Sequence, residues 1–451
     1  MLFAAALVAA AFAATARADI QMPIGFFDDN SFRWSPDRET NLQSASGTGA
    51  SIIHTTASWP GIAPTRPANA LNGNDPAYKL GDLDELVGNA AKYGLRVMID
   101  INGTPKWANG GKTPNHLPKR LGDLTAFAHM LAARYKTVTL FSVWNEPNLG
   151  LFLTPQFAGK KIVGPANYAK LYKAAYAGIK AGDPRAQVAI GETSARGRDK
   201  PIKGVSDSIA PGTFARLLAA QKGLKFDAWA HHPYPTTPNM RPLQRVRYPN
   251  VTLSTLSKFE SDLHKWFHRT VPVWITEYGH ETKPGEPHGV SNSTQASYAR
   301  QALTFARKDP NVKMFIWFTF RDSAGNPWQS GLEAPSGARK SSYEAFGSLA
   351  RLIDGQAVSV KAGRTPAVKL YFPQLFYYQG AGGSAGMYWK VTEGAQTVGV
   401  GTPVVTFAPD QSLTIPLTGF TPVKKHTYKV TVQANESGGH NETESATIRA
   451  I

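Results

Sequence analysis

The 451 residues contain no cysteine, so neither disulfides nor thiolate-bound metals hold this chain together, and its stability must come from packing. Long apolar runs are missing after the first eighteen residues, which leaves no later segment able to span a bilayer. No Gly-x-Gly-x-x-Gly follows the first candidate strand, so dinucleotide binding has no support and no cofactor is implied. Helix-turn-helix, zinc-finger and RNA-binding signatures are absent too, and no nucleic-acid partner is expected. Acidic residues are scarce: 32 Asp and Glu stand against 49 Lys and Arg, a formal charge of +17. The cations are scattered in short runs such as "GKK" and "VKK". That pattern suits anionic surroundings, such as acidic glycans or cell walls, and equally a basic but non-specific surface.

Apolar residues make up 42% of the chain, with 10 Trp, 16 Tyr and 22 Phe, enough for a sizeable core. The length fits one barrel-sized domain plus a smaller one. Residues 1–18, "MLFAAALVAAAFAATARA", join an apolar run to Ala16-Arg17-Ala18, the small-x-small pattern of a secretory signal peptide. Export to the medium or the cell wall is the expectation. A retained anchor is the alternative, because the stretch lacks the usual leading Lys or Arg. Cleavage after Ala18 would remove only Arg17 from the charge count.

From Ile20 to about Ile353 short apolar runs alternate with loops and amphipathic stretches. Strands are expected at 20–26, 51–56, 95–101, 139–144, 187–192, 226–231, 271–276 and 313–320. Helices are expected at 82–94, 121–135, 166–182, 254–269, 294–308 and 341–353, with apolar residues at three- and four-residue spacing, as in Leu124, Phe127, Leu131 and Tyr135. Eight strand–helix units predict a (β/α)8 barrel over residues 19–355, with an open doubly wound sheet as the second choice. After Gly355 the helical period vanishes and Gly-rich turns ("QGAGGSAG", 379–386) separate strand-like runs. Residues 356–451 therefore form an all-β accessory domain. Its segment 417–434 resembles the end of an immunoglobulin or fibronectin III-like sandwich, with Tyr428 at a strand corner.

In such a barrel the carboxyl ends of the strands converge on one face. "FSVWNEPN" (141–148) ends the fourth strand in Asn145 and Glu146, and "WITEYG" (274–279) ends the seventh in Glu277. Two carboxylates facing each other across the mouth suit glycoside hydrolysis, in which one attacks while the other moves a proton. Their mutual repulsion raises the pKa of one, as acid catalysis requires. Read singly, each is as plausibly a solvated loop residue. The adjacent pair His231-His232 could suggest a metal, but neighbours on a strand point to opposite faces and no Asp or Glu lies at ligand spacing. No metal is expected.

"VWNEPN" and "ITEYG", with "RDSAGNPWQSGLEAPSG" (321–337), resemble glycoside hydrolase clan A, retaining enzymes on (β/α)8 barrels that include cellulase-like family 5 and family 39. The resemblance covers residues 20–353. It implies that Glu146 is the general acid/base and Glu277 the nucleophile. It also implies that Asn145 binds the sugar hydroxyl beside the reacting carbon, that Tyr234 of "AHHPYP" (230–235) holds the nucleophile, and that His232 supports the acid/base. A sugar-stacking Trp on the last strand would be Trp317; Trp107 is a further candidate, although packing is the default for any one aromatic. Where the clan commonly has an Arg, this chain has His54, five residues before Trp59, and an unusual pH dependence is expected from it. The resulting expectation is a secreted glycosidase acting on a β-linked oligo- or polysaccharide, an anionic one if the basic loops 105–120 and 193–212 grip it. A transglycosylase would use the same pair, and a non-catalytic glycan-binding barrel would be expected to have lost one of them.

Overall fold

In a computed structural model of the chain, eight short parallel strands close on themselves. The described residues are 21–324, 326–350, 357–375, 383–407, 410–435 and 441–451; the expected signal segment and domain boundary lie outside them. The strands are β1 (Ile24–Phe27), β2 (Ile52–Ser58), β3 (Arg96–Asn102), β4 (Leu140–Val143), β5 (Gln187–Ser194), β6 (Ala228–His232), β7 (Val273–Ile275) and β8 (Val312–Phe318). Each pairs with its sequence neighbours, and β1 closes the ring on β8 with Phe26 opposite Trp317. All eight expected strands are present, shifted by a few residues at their ends.

A helix follows every strand: α1 (Arg38–Gly47), α2 (Gly81–Lys92), α3 (Leu121–Arg134), α4 (Gly164–Gly182), α5 (Pro211–Ala219), α6 (Leu256–Phe267), α7 (Asn292–Lys308) and α8 (Ser341–Ala350). Strand alternation sorts the core into two layers. Ile52, Met98, Leu140, Ala228, Ala230, Trp274, Met314 and Ile316 fill the barrel interior. Their neighbours Ile53, Ile99, Phe141, Trp229, Ile275, Phe315 and Trp317 pack outward against the helices. Gly25 is required where β1 meets β2, since a Cβ there would sit 2.0 Å from the Ile52 carbonyl oxygen.

The C-terminal region is all-β. Strands β9 (Ala357–Val360), β11 (Gly383–Glu393), β12 (Gln396–Gly401), β15 (Thr427–Asn435) and β16 (Asn441–Ala450) form a sheet in the order β9-β16-β15-β11-β12, and β13 (Val404–Phe407) also pairs with β11. Strands β10 (Ala367–Tyr371) and β14 (Ser412–Pro416) pair separately. Val368, Leu370 and Ile415 of that pair share a core with Trp389, Val430, Val432 and Ile448 of the large sheet, which is sandwich packing. At the corner before β15 the Val423 N–H donates to the Tyr428 hydroxyl at 3.0 Å.

This β region touches the barrel at the amino ends of the strands. The Arg96 guanidinium grips the Asp410 carboxylate at 2.6 and 2.9 Å. The Asp410 carbonyl accepts from the Gln21 N–H, and the Gln374 amide donates to the Ser46 and Ala50 carbonyls. The contacted groups lie at the starts of β1, β2 and β3, so the opposite rim is left open.

Candidate active site

At that open rim β4 ends in an unusual conformation. Trp144 and Glu146 have φ of +73° and +38°, a region that residues with a Cβ adopt reluctantly and that clusters at functional sites. The turn buries the Trp144 ring, whose Nε1 donates to the Phe152 carbonyl at 2.6 Å. It leaves Asn145 and Glu146 half-buried on a cleft of about 890 Å³. Glu277, after β7, enters the same cleft and is buried.

His232 ties the two together. As an inward residue of β6, following Ala228 and Ala230, it is fully buried. Its Nδ1 lies 3.2 Å from Glu146 Oε1 and 3.6 Å from Glu277 Oε2, and its Nε2 lies 3.3 Å from Glu192 Oε1. A ring with carboxylates at both nitrogens is satisfied only as the imidazolium. Burial works against that charge, but Glu277, Glu146 and Glu192 together overcome it and hold the imidazole pKa well above its usual range. Tyr234 completes the arrangement, its hydroxyl donating to Glu277 Oε2 at 3.0 Å. Burial pushes the Glu277 carboxyl up to about 7; the imidazolium opposes the rise, while Glu146 and Glu192 add to it. Glu277 therefore gives up its proton less readily than a carboxyl in water does.

Glu192 reaches His232 because β5 carries a bulge. Val188 and Ile190 point outward, so plain alternation would send Glu192 outward as well. The register with β6 shifts between Gly191 and Thr193, and the φ values of +104° at Gly191 and +47° at Glu192 turn the carboxylate inward. Gly191 allows this because a Cβ there would lie 2.5 Å from the Trp229 ring. The bulge makes Glu192 the second partner of His232, a place that strand alternation alone does not assign to it.

The structure brings Glu146, Glu277, Asn145, His232 and Tyr234 to one cleft. It corrects two aromatic expectations. Trp317 cannot stack on a sugar: it is fully buried on the outer face of β8, packs edge-on against Phe346 and Tyr278, and donates Nε1 to the Ser330 carbonyl. The neighbouring inward residue Phe318 lines the cleft instead. Trp107 packs edge-on against Trp59, carries the Arg66 guanidinium at 4.2 Å from its ring and donates Nε1 to the Ala63 carbonyl, apart from the residues lining the cleft. The exposed aromatic at the mouth is Trp328, stacked on Tyr234 at 5.1 Å and edge-on to Phe318. It lies in the loop after β8, and the "NPW" punctuation there was the only signal that could have found it.

His54 lies beneath the cleft, covered by the Phe27 ring at 4.4 Å, with Nδ1 3.2 Å from the Thr276 carbonyl. It steadies the peptide bond leading into Glu277. Burial pulls its pKa down to about 4, so it stays neutral across the working range and does not supply the pH dependence expected of it. His231 points outward, with Nε2 3.0 Å from the Val251 carbonyl and Nδ1 2.9 Å from the Thr193 hydroxyl. The two histidines therefore diverge, and no metal-binding cluster is found among the described residues.

Two carboxylates placed around one imidazolium at the open end of a closed parallel barrel define a class, the retaining glycosidases on (β/α)8 barrels. Within it, the chain belongs to the cellulase family, glycosyl hydrolase family 5, whose sequence model matches residues 19–321. Solved structures agree on the fold. A family 39 glycoside hydrolase from Bacteroides cellulosilyticus WH2 superposes with a TM-score of 0.54 at 18% identity, covering 88% of this chain and 81% of the other. A family 39 β-xylosidase from Caulobacter crescentus gives 0.54 at 17% identity, covering 89% and 98%. A family 5 subfamily 18 enzyme from Streptomyces cattleya, in complex with GlcNAc, gives 0.54 at 16% identity, covering 76% and 86%. These neighbours share the barrel fold. Among curated proteins none matches the sequence.

Proposed function

We propose that this enzyme hydrolyses a β-linked oligo- or polysaccharide by double displacement, with Glu277 as nucleophile and Glu146 as acid/base. A Glu277 oxygen attacks the anomeric carbon while Glu146 gives its proton to the departing glycosidic oxygen, leaving a glycosyl ester on Glu277. Glu146 then takes a proton from water, whose oxygen attacks the same carbon and frees Glu277. The observation carrying this reading is that His232 Nδ1 approaches both carboxylates, at 3.2 and 3.6 Å. The two oxygens are then no farther apart than the sum of those distances. That bound accommodates the about 5–5.5 Å separation of retaining enzymes.

The division of roles rests on Tyr234. Its hydroxyl donates to one Glu277 oxygen, which stabilises the carboxylate as an anion and leaves the other oxygen to attack. Asn145, half-buried on the cleft and without a side-chain partner among the described residues, is free to bind a sugar hydroxyl. Export remains part of the proposal, and processing after Ala18 in the native host would support it.

A 2-deoxy-2-fluoroglycosyl fluoride of the preferred sugar should label Glu277, as read by peptide mass spectrometry. Glu146→Gly should lose activity by roughly 10²–10⁴-fold on substrates with poor leaving groups; on an activated aryl glycoside, which departs without a proton, azide should restore turnover and yield the β-glycosyl azide. Labelling of another residue, or full activity in Glu277→Gln, would sink the proposal.

A further inference from the structure

We infer that the cleft selects an anionic glycan, with Arg196 and Arg198 binding a carboxylate or sulfate substituent of a bound sugar. The inference rests on the glycosidase reading and names its substrate class. One wall of the cleft is built from the segment after β5 and the segment between Tyr234 and Val251. The two are fastened together: the Gly197 N–H donates to Asn250 Oδ1 at 2.9 Å, the Val251 N–H to the Ala195 carbonyl at 2.8 Å, and Arg196 Nη1 to the Thr236 carbonyl at 2.8 Å. Gly197 lies flat on the chain beneath, where a Cβ would meet the Ile209 carbonyl carbon at 2.0 Å. The wall is therefore anchored, and both arginines line the cleft, Arg198 Nη2 donating to the Ser206 carbonyl.

The charges on this wall are unbalanced. Arg196 and Arg198 are exposed, and neither forms an ion pair with a carboxylate among the described residues. Elsewhere on the barrel Arg33, Arg38, Arg66 and Arg134 are each held to an Asp or Glu. Of the two acids on the first segment, Asp199 is used internally, accepting from the Ala210 N–H and the Thr213 hydroxyl at 2.7 Å each. Asp207 lines the cleft but lies in no ion pair. The second segment adds the exposed Arg241, Arg245 and Arg247, and no acid occurs between Tyr234 and Val251. A planar guanidinium fork matches a carboxylate or sulfate, and the two arginines that line the cleft, with three more on the adjoining segment, give this wall a positive charge. Trp328 and Phe318 line the same cleft and can stack on the sugar ring, so a ring and its acidic substituent have separate partners.

The test measures binding without turnover. Glu277→Gln protein is titrated calorimetrically with a β-linked oligoglucuronate, a sulfated cello-oligosaccharide and a neutral cello-oligosaccharide, at low and high salt. One of the anionic ligands should bind at least about tenfold tighter than the neutral one, with the advantage shrinking in salt; which of the two does so separates carboxylate from sulfate. Adding R196A and R198A should weaken the anionic ligand by roughly tenfold or more and leave the neutral one unchanged. Lysines at both positions should recover part of the loss, which controls for folding. Equal affinity for neutral and anionic ligands, or an anionic preference that survives the double alanine variant, overturns the inference. Either failure leaves the labelling of Glu277 untouched, and a failure of that labelling leaves this binding result standing.

Discussion

Glu277 occupies a site that disfavours its own charge. A carboxyl moved from 4.5 to about 7 by burial and by two neighbouring acids binds its proton more tightly in the fold than in the unfolded chain. The sign of the linkage follows: the group costs the fold nothing below about pH 4.5, an increasing amount up to about 7, and the full amount above. Removing the charge should therefore stabilise. Glu277→Gln is expected to be more stable than the parent by about 2–3 kcal/mol at pH 8 and equal to it near pH 4, while being inactive. Urea unfolding at the two pH values checks this, and a variant less stable at pH 8 would contradict it. His232 has the opposite sense. Its raised pKa contributes stability that is complete below about 6.5 and is lost as pH climbs through the folded value, so alkaline conditions weaken the site from both directions.

Strands and helices show where sequence patterns carry and where they stop. Glu146 and Glu277 were legible because both follow apolar β-prone runs closed by turn residues, and His232 and Tyr234 because a motif ties them to the same barrel. Trp317 was misassigned because position at a strand's end was read without counting faces. Met314 and Ile316 are interior, so Phe318 is the residue that follows them inward and Trp317 cannot be. The inward turn of Glu192 defies counting altogether, since a bulge resets the alternation. Helix α1 was missed because "RETNLQSASG" buries only Asn41, Leu42, Ala45 and Ser46, too polar a stripe to register. Helix α5 escaped because nine residues give only about two and a half turns, and its start was absorbed into the long basic loop. The face assignment on β8 predicts a crossed pair of phenotypes. Trp317→Ala should cost about 3–5 kcal/mol of stability with KM nearly unchanged in whatever folds. Trp328→Ala should leave stability within about 0.5 kcal/mol and raise KM up to roughly tenfold. Thermal melts and steady-state kinetics on both variants decide it.

Over the whole molecule the accessory β region sits at the amino ends of the barrel strands, away from the cleft. That position argues against its presenting substrate to Glu146 and Glu277, and for its bracing the barrel. The bidentate Arg96–Asp410 contact is largely shielded on both sides. Arg96→Ala is therefore expected to lower unfolding free energy by about 1–3 kcal/mol and to leave kcat/KM on a soluble substrate unaltered. Calorimetry should also show the barrel and the β region melting further apart in the variant than in the parent. The backbone gives the reason: Asp410, near the end of the chain, accepts from Gln21, just before the first strand. The barrel and its appendage thus form a closed mechanical circuit, in which the segment leading into the first strand cannot lift away without breaking its hold on the β region.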